Sequence, residues 1–306
     1  MKPDKGWKLE PISGAANKPT PSRVISLFMH SILKVLSLLL FCFISCTNNG
    51  TDESSILTDD NPQPNSNFVI PVGKTFEWRL DDLPDTYNTS AEVVDIDAFA
   101  ATPELVANLK AEGKTVIAYL SVGSVENFRP DAGDFFQILI GNEYEGFPDE
   151  NWLDIREINL LAPIMEARLD MIASKGFDGI EPDNINGYQN NTGFNLTQEN
   201  AIAYCRYLIE QAHLRNLSIG QKNAEELIPT LVDEFDWFLA EDAYVEDFYQ
   251  QLTPFITAEK AVFLVEYTDR ISEANFQSMV CPEASARNYS AVLKDRDLTD
   301  TTLYCN

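Results

Sequence analysis

Short apolar runs that end in polar or acidic residues alternate with helix-like stretches, and this rhythm constrains the chain more than any other feature. The strand-like runs are TFEWRL (75–80), EVVDIDAF (92–99), TVIAYLSVG (115–123), FDGIEPDN (177–184), LSIGQKN (217–223), FDWFLAED (235–242), AVFLVEY (261–267) and a weaker TTLYC (301–305). Between them lie helix patterns. PELVANLKAEG (103–113) stops at a glycine, and LAPIMEARLDMIASKG (161–176) sets Ile164, Ala167, Arg168, Met171 and Ile172 on one face before its own glycine stop. LTQENAIAYCRYLIEQAHLRN (196–216) opens on Thr197, a helix cap, with Asn200 three residues on. Eight strands alternating with helices over about 240 residues predict a single α/β domain, a (β/α)8 TIM barrel over residues 68–306. An open doubly wound sheet is the competing arrangement, but it calls for a glycine-rich phosphate loop after the first strand, and none is present.

In a barrel of this kind the C-terminal strand ends line one mouth. Here they carry Asp95 and Asp97, Tyr119 and Ser121, Glu181 and Asp183, Lys222 and Asn223, Glu241 and Asp242, Glu266 and Tyr267. Carboxylates gathered on one rim repel each other, so they persist by binding a cation, sharing protons or doing chemistry. Helix capping accounts for others, such as Asp85 and Glu104. Two carboxylates flanking a glycosidic bond suffice to hydrolyse it without metal or cofactor. The chain has only two histidines, His30 and His213, and no Cys-x-x-Cys spacing, which argues against a zinc site. Trp78 fits a sugar-stacking platform or the core equally well.

YLSVGSVENFRPDA (119–132), NWLDIR (151–156), ARLDMIASKGFDGIEPDNINGYQNNTGFNLT (167–197), LSIGQKN (217–223) and KAVFLVEY (260–267) resemble glycoside hydrolase family 114, the endo-α-1,4-polygalactosaminidases. The resemblance runs over residues 68–306 and implies a barrel that acts on α-1,4-linked galactosamine polymers. It implies that Asp183, in the PDN motif ending strand four, and Glu241, ending strand six, are the catalytic pair. Asp183 is assigned as nucleophile and Glu241 as acid/base of a retaining mechanism. Asp97, Tyr119, Glu126, Arg129, Asp154, Asn184, Lys222, Asn223, Glu266 and Tyr267 are candidate substrate-binding positions. The chain also departs from the family. Ala240-Glu241-Asp242-Ala243 stands where members read Asn-Glu-x-Cys, and Lys222-Asn223-Ala224 where they read Lys-Asn-Asp. These changes keep open a glycosidase of different α-linked specificity, or a surface lipoprotein that binds glycans without cutting them. Retention of both carboxylates speaks against a pure binder.

The first part of the chain reads as export machinery. Lys34 precedes the apolar run VLSLLLFCFIS, too short to span a bilayer comfortably, and Phe43-Ile44-Ser45-Cys46 resembles a bacterial lipobox in which Cys46 takes the lipid. Residues 1–28 are then an upstream extension, 29–46 a lipoprotein-type signal and 47–67 a polar tether. The expected location is the bacterial cell envelope or outside it, with membrane contact through the lipid alone. Of the five cysteines, Cys42 falls in the signal and Cys205 in a helix face, leaving Cys281 and Cys305 able to close a disulfide in an oxidising compartment. Both match the family's C-terminal cysteines. The formal charge is −26, from 22 Lys+Arg against 48 Asp+Glu, and loss of residues 1–45, with six basic and two acidic residues, takes it to −30. Such a surface repels nucleic acid and favours a cationic partner or substrate. The resemblance implies that this partner is an amino-sugar polymer.

Overall fold

A computed structural model of the chain describes residues 69–299 and 303–305. The proposed extension, signal, Cys46 anchor and tether lie outside the described residues. Eight parallel strands curl into the barrel: β1 (Phe76–Arg79), β2 (Val93–Asp97), β3 (Thr115–Ser121), β7 (Gly179–Asp183), β8 (Ser218–Lys222), β9 (Trp237–Glu241), β10 (Val262–Tyr267) and β11 (Ser290–Lys294). Between β3 and β7 the chain adds a small antiparallel sheet of β4 (Ser124–Glu126), β5 (Ile140–Tyr144) and β6 (Phe147–Leu153), ordered β4-β6-β5. The longest helices are α1 (Pro103–Ala111), α2 (Ile158–Lys175) and α3 (Gln198–Leu214). Their ends follow the sequence signals. Thr102 accepts a hydrogen bond from the Leu105 amide, Gly176 ends α2 at φ +90°, and Thr197 and Asn200 cap α3 reciprocally.

Alternation along each strand sorts side chains into two cores. Val94, Ile96, Val116, Ala118, Ile180, Ile219, Phe238, Leu264 and Leu293 pack outward into the larger core, with the helices. Phe76, Trp78, Val93, Ile117, Tyr119, Trp237, Leu239, Phe263, Val265, Tyr267 and Val292 fill the barrel interior. Gly220 shares that inward parity, and a Cβ there would lie 2.6 Å from the Trp237 ring, so glycine makes room for the indole. The same parity carries upward to Asp183, Lys222 and Glu241 at the strand ends.

The eighth strand differs from the sequence expectation. SAVLK (290–294) forms β11, parallel to β10, whereas 303–304 forms only the two-residue β12 (Leu303–Tyr304), antiparallel to β11. SAVLK is short and ends on a lysine, so its apolar content understates it. The free edge of β10 selects it. Ser290 Oγ donates to the Lys74 carbonyl at 2.6 Å and Lys294 Nζ lies 2.9 Å from Glu77 Oε1, which brings β11 beside β1. Tyr304 of β12 donates to Glu77 Oε2 at 2.7 Å. A Cys281–Cys305 disulfide, 24 residues apart in sequence, ties this tail strand to the helix Cys281–Arg287.

Candidate active site

A cavity of about 370 Å³ opens where β7, β8 and β9 end, and Asp183, Lys222 and Glu241 share its wall. Lys222 is 2% exposed; its ammonium donates to two carboxylates and pairs with a third. It lies 2.6 Å from Glu181 Oε1, 3.0 Å from Asp183 Oδ1 and 3.2 Å from Glu241 Oε2. One ammonium touching both Asp183 and Glu241 bounds their nearest oxygens at about 6 Å apart. That bound accommodates the ~5–5.5 Å carboxyl spacing of retaining glycosidases.

Each carboxylate has its own donors. Tyr119 gives its hydroxyl proton to Asp183 Oδ2 at 3.1 Å. Glu241 Oε2 accepts from Asn223 Nδ2 at 3.0 Å, its Oε1 accepts a close hydrogen bond from the Tyr267 hydroxyl, and its backbone N–H donates to Asn223 Oδ1 at 2.9 Å. Burial pushes the Glu241 carboxyl up, but the Lys222 charge and the Tyr267 and Asn223 hydrogen bonds outweigh it and hold Glu241 below the ordinary glutamate value. Asn184, Asn223 and Asp242, the residues just after β7, β8 and β9, adopt φ of +66°, +47° and +51°. Such left-handed backbone is uncommon outside glycine and turns the chain sharply at the rim. Gly123 lets the end of β3 approach that rim, since a Cβ there would lie 1.7 Å from the Asn184 carbonyl oxygen.

The small antiparallel sheet supplies the facing wall. Tyr144 and Phe147 flank a turn in which Gly146 takes φ +93°, and their rings meet tilted at 40° with centres 4.9 Å apart, with the Trp152 ring centre 4.4 Å from that of Tyr144. Burial and the charges of Asp183 and Glu241 push the Tyr144 phenol up to about 12. Glu150 of β6 also lines the cavity. Its Oε1 accepts from Asn184 Nδ2 at 3.0 Å and from the Ser124 hydroxyl, and burial pushes its carboxyl up to about 7. Sequence reasoning missed Tyr144, Phe147, Glu150 and the cavity-lining Arg296. The only available signal was the Glu145-Gly146 turn between aromatics. Trp78 lines the cavity while 1% exposed, with Lys222 Nζ 4.6 Å from its ring centre and its indole N–H without a partner among the described residues.

Tyr119, Asn184, Lys222, Asn223 and Tyr267 therefore gather around Asp183 and Glu241. Five other expected binding residues do not line the cavity. Arg129 lies between Glu126, at 2.7 Å, and Asp97, at 2.6 Å, in a buried ion cluster. Asp97 also accepts from the Phe99 and Ala100 amides at 2.9 and 2.8 Å. Asp154 pairs with Arg156 at 2.7 Å. Glu266 has the outward parity of β10 and accepts from the Tyr244 amide at 2.7 Å. The departures at Ala224, Ala240 and Ala243 fall in the larger core, outside the cavity wall.

The profile of glycoside-hydrolase family GH114 matches residues 58–306. Among solved structures, Aspergillus fumigatus Ega3 in complex with galactosamine aligns at TM-score 0.73 and 34% identity, over 78% of this chain and 98% of its own. The glycoside hydrolase domain of PelA from Pseudomonas aeruginosa aligns at TM-score 0.58 and 15% identity, over 76% of this chain and 98% of its own, which is likeness of fold. No curated protein matches the chain.

Proposed function

This chain belongs to glycoside hydrolase family GH114, and from that premise we propose that it cuts α-1,4-linked galactosamine polymers between Asp183 and Glu241 with retention of configuration. The observation that carries this reading is the single Lys222 ammonium held against both carboxylates in one open cavity. Asp183 attacks the anomeric carbon while Glu241 gives its proton to the departing glycosidic oxygen. Water then attacks the anomeric carbon of the glycosyl–Asp183 ester, giving a proton to Glu241 and releasing Asp183 as the carboxylate. Lys222 and Tyr119 each donate a hydrogen bond to Asp183 and hold its carboxyl in place for attack. Its neighbours hold Glu241 below the ordinary glutamate value, so the first step draws on its protonated fraction and slows as pH rises.

The substrate assignment rests on the likeness to Ega3, whose structure holds galactosamine, and on charge. A polymer of free amines is cationic, and Glu150, Asp242 and Asp297 line the same cavity as the reacting pair. The formal charge of −26 adds a long-range pull that added salt weakens. We further propose export, with Cys46 as lipid anchor, because Lys34, the short apolar run and Phe43-Ile44-Ser45-Cys46 read as a lipoprotein-type signal. Incubating deacetylated α-1,4-galactosaminan with wild type, Asp183→Asn and Glu241→Gln tests the reading. Oligosaccharides should form with wild type alone, the variants losing about 10³-fold or more. Equal product from either variant would remove it from the mechanism.

A further inference from the structure

Asp95 and Glu181 lie under the reacting pair, are both 0% exposed, and do not line the cavity. Each has the inward parity of its strand, one step below Asp97 on β2 and Asp183 on β7. Glu181 Oε1 accepts from Lys222 at 2.6 Å. Its Oε2, and both oxygens of Asp95, meet no donor among the described residues. Yet the two side chains contact one another. Two carboxylates offer only acceptors, so their contact is a hydrogen bond only if one of them carries a proton. Buried without donors, two ionised carboxylates would lose their hydration with nothing in return. The charged and titratable groups around them are Tyr119 from β3, Asp183 from β7, Lys222 from β8, Glu241 from β9 and Tyr267 from β10, with Tyr144 and Glu150 across the cavity. The one cation among these, Lys222, bonds Glu181 and not Asp95.

We propose that Asp95 holds a proton shared with Glu181, and that the pair is a fixed counter-charge keeping Lys222 protonated and centred between Asp183 and Glu241 while those two change charge. The inference rests on the reading of Asp183 and Glu241 as the reacting groups. As Asp183 becomes an ester it loses its charge, and Lys222 would otherwise follow Glu241. The 2.6 Å contact with Glu181 restrains it through that step. Burial, which drives both carboxyls up, agrees with a retained proton: Glu181, against Lys222, reaches about 7, and Asp95 is raised well above the usual aspartate range. Asp95 and Glu181 are positioning residues, acting on the substrate only through Lys222.

The test compares Asp95→Asn, Asp95→Ala and Glu181→Gln with wild type, by the pH profile of kcat/KM on the galactosamine polymer and by the infrared carbonyl band of protonated carboxyls at neutral pH. An asparagine amide donates to Glu181 as the acid does, whereas alanine donates nothing. The band should lose intensity in both Asp95 variants. Asp95→Asn should keep the wild-type profile. Glu181→Gln should move the descending limb to lower pH by on the order of one unit, with the loss in kcat rather than KM, because Lys222 without its counter-charge then acts more strongly on Glu241, whereas Asp95→Ala should move it to higher pH, because Glu181 without its donor draws Lys222 harder. Unchanged band intensity in Asp95→Asn overturns the proposal, as does a wild-type profile in all three variants with only the melting temperature altered. Should Glu181→Gln fail to fold, Asp95→Ala against Asp95→Asn makes the same comparison. If wild type does not cut the polymer, the proposed function falls, while the infrared measurement still decides whether Asp95 holds a proton.

Discussion

The Tyr267 hydroxyl and the Lys222 ammonium set the charge of Glu241, and removing the hydroxyl isolates one of the two. Tyr267→Phe takes away a hydrogen bond that favours the carboxylate, so the Glu241 pKa rises from its lowered position. If Glu241 is the acid, the descending limb of kcat/KM moves to higher pH, by roughly one unit for a charge-assisted bond. A limb that stays in place, in an enzyme of unchanged melting temperature, assigns the acid role elsewhere. Much of this chemistry was legible in the sequence, since Asp183, Lys222, Asn223 and Glu241 all sit where strands end. What was not legible at this scale is facing. Glu266 and Tyr267 are neighbours, yet period-two alternation from Val265 turns Tyr267 into the barrel and Glu266 out. Counting parity from the interior would have separated them. The Asp97–Arg129–Glu126 cluster carried no such signal, because charged residues at a strand end look alike in sequence whether they meet substrate or one another.

At the scale of elements, the β5–β6 hairpin and the tail strand were the unread parts. The hairpin sequence IGNEYEGFPDENWL has no long apolar run, since its strands are half exposed and pair only within a three-stranded sheet. Its Phe147 is 56% exposed at the cavity mouth, more than a core requires. Phe147→Ala should therefore leave stability nearly unchanged and cost about 0.5–1.5 kcal/mol of polymer binding, read as a roughly 2- to 10-fold higher KM at constant kcat. Lower stability with unchanged KM would make the hairpin a structural flap only. The helix ends, by contrast, were written locally. Thr197 with Asn200 and the glycine after α2 are signals of a few residues, and tertiary packing did not override them.

Across the whole molecule, pH acts on stability through buried acids. Burial raises Glu150, Glu181 and Glu266 to about 7 from an ordinary 4.5. Between those values the native state holds protons that the unfolded chain has released, so stability falls as pH rises through this window. Glu241 and Glu92 are lowered, so their contributions are complete above about 4.5 and fade as pH drops further. The formal charge of −26 adds self-repulsion in the alkaline direction. The melting temperature should thus be highest near pH 4.5–5 and decline towards pH 8, more steeply at low salt. A melting temperature that climbs steadily to pH 8 would mean that these glutamates are ionised in the native state.

Stereochemistry reaches the centre of the account, because a double displacement through Asp183 fixes which anomer emerges first. Proton NMR of a fresh digest of deacetylated α-1,4-galactosaminan, followed from the first minutes, reads it directly. The account predicts new reducing ends released as the α-anomer, with β growing in only by slow mutarotation. Reducing ends released first as β would mean that water, not Asp183, attacks the sugar.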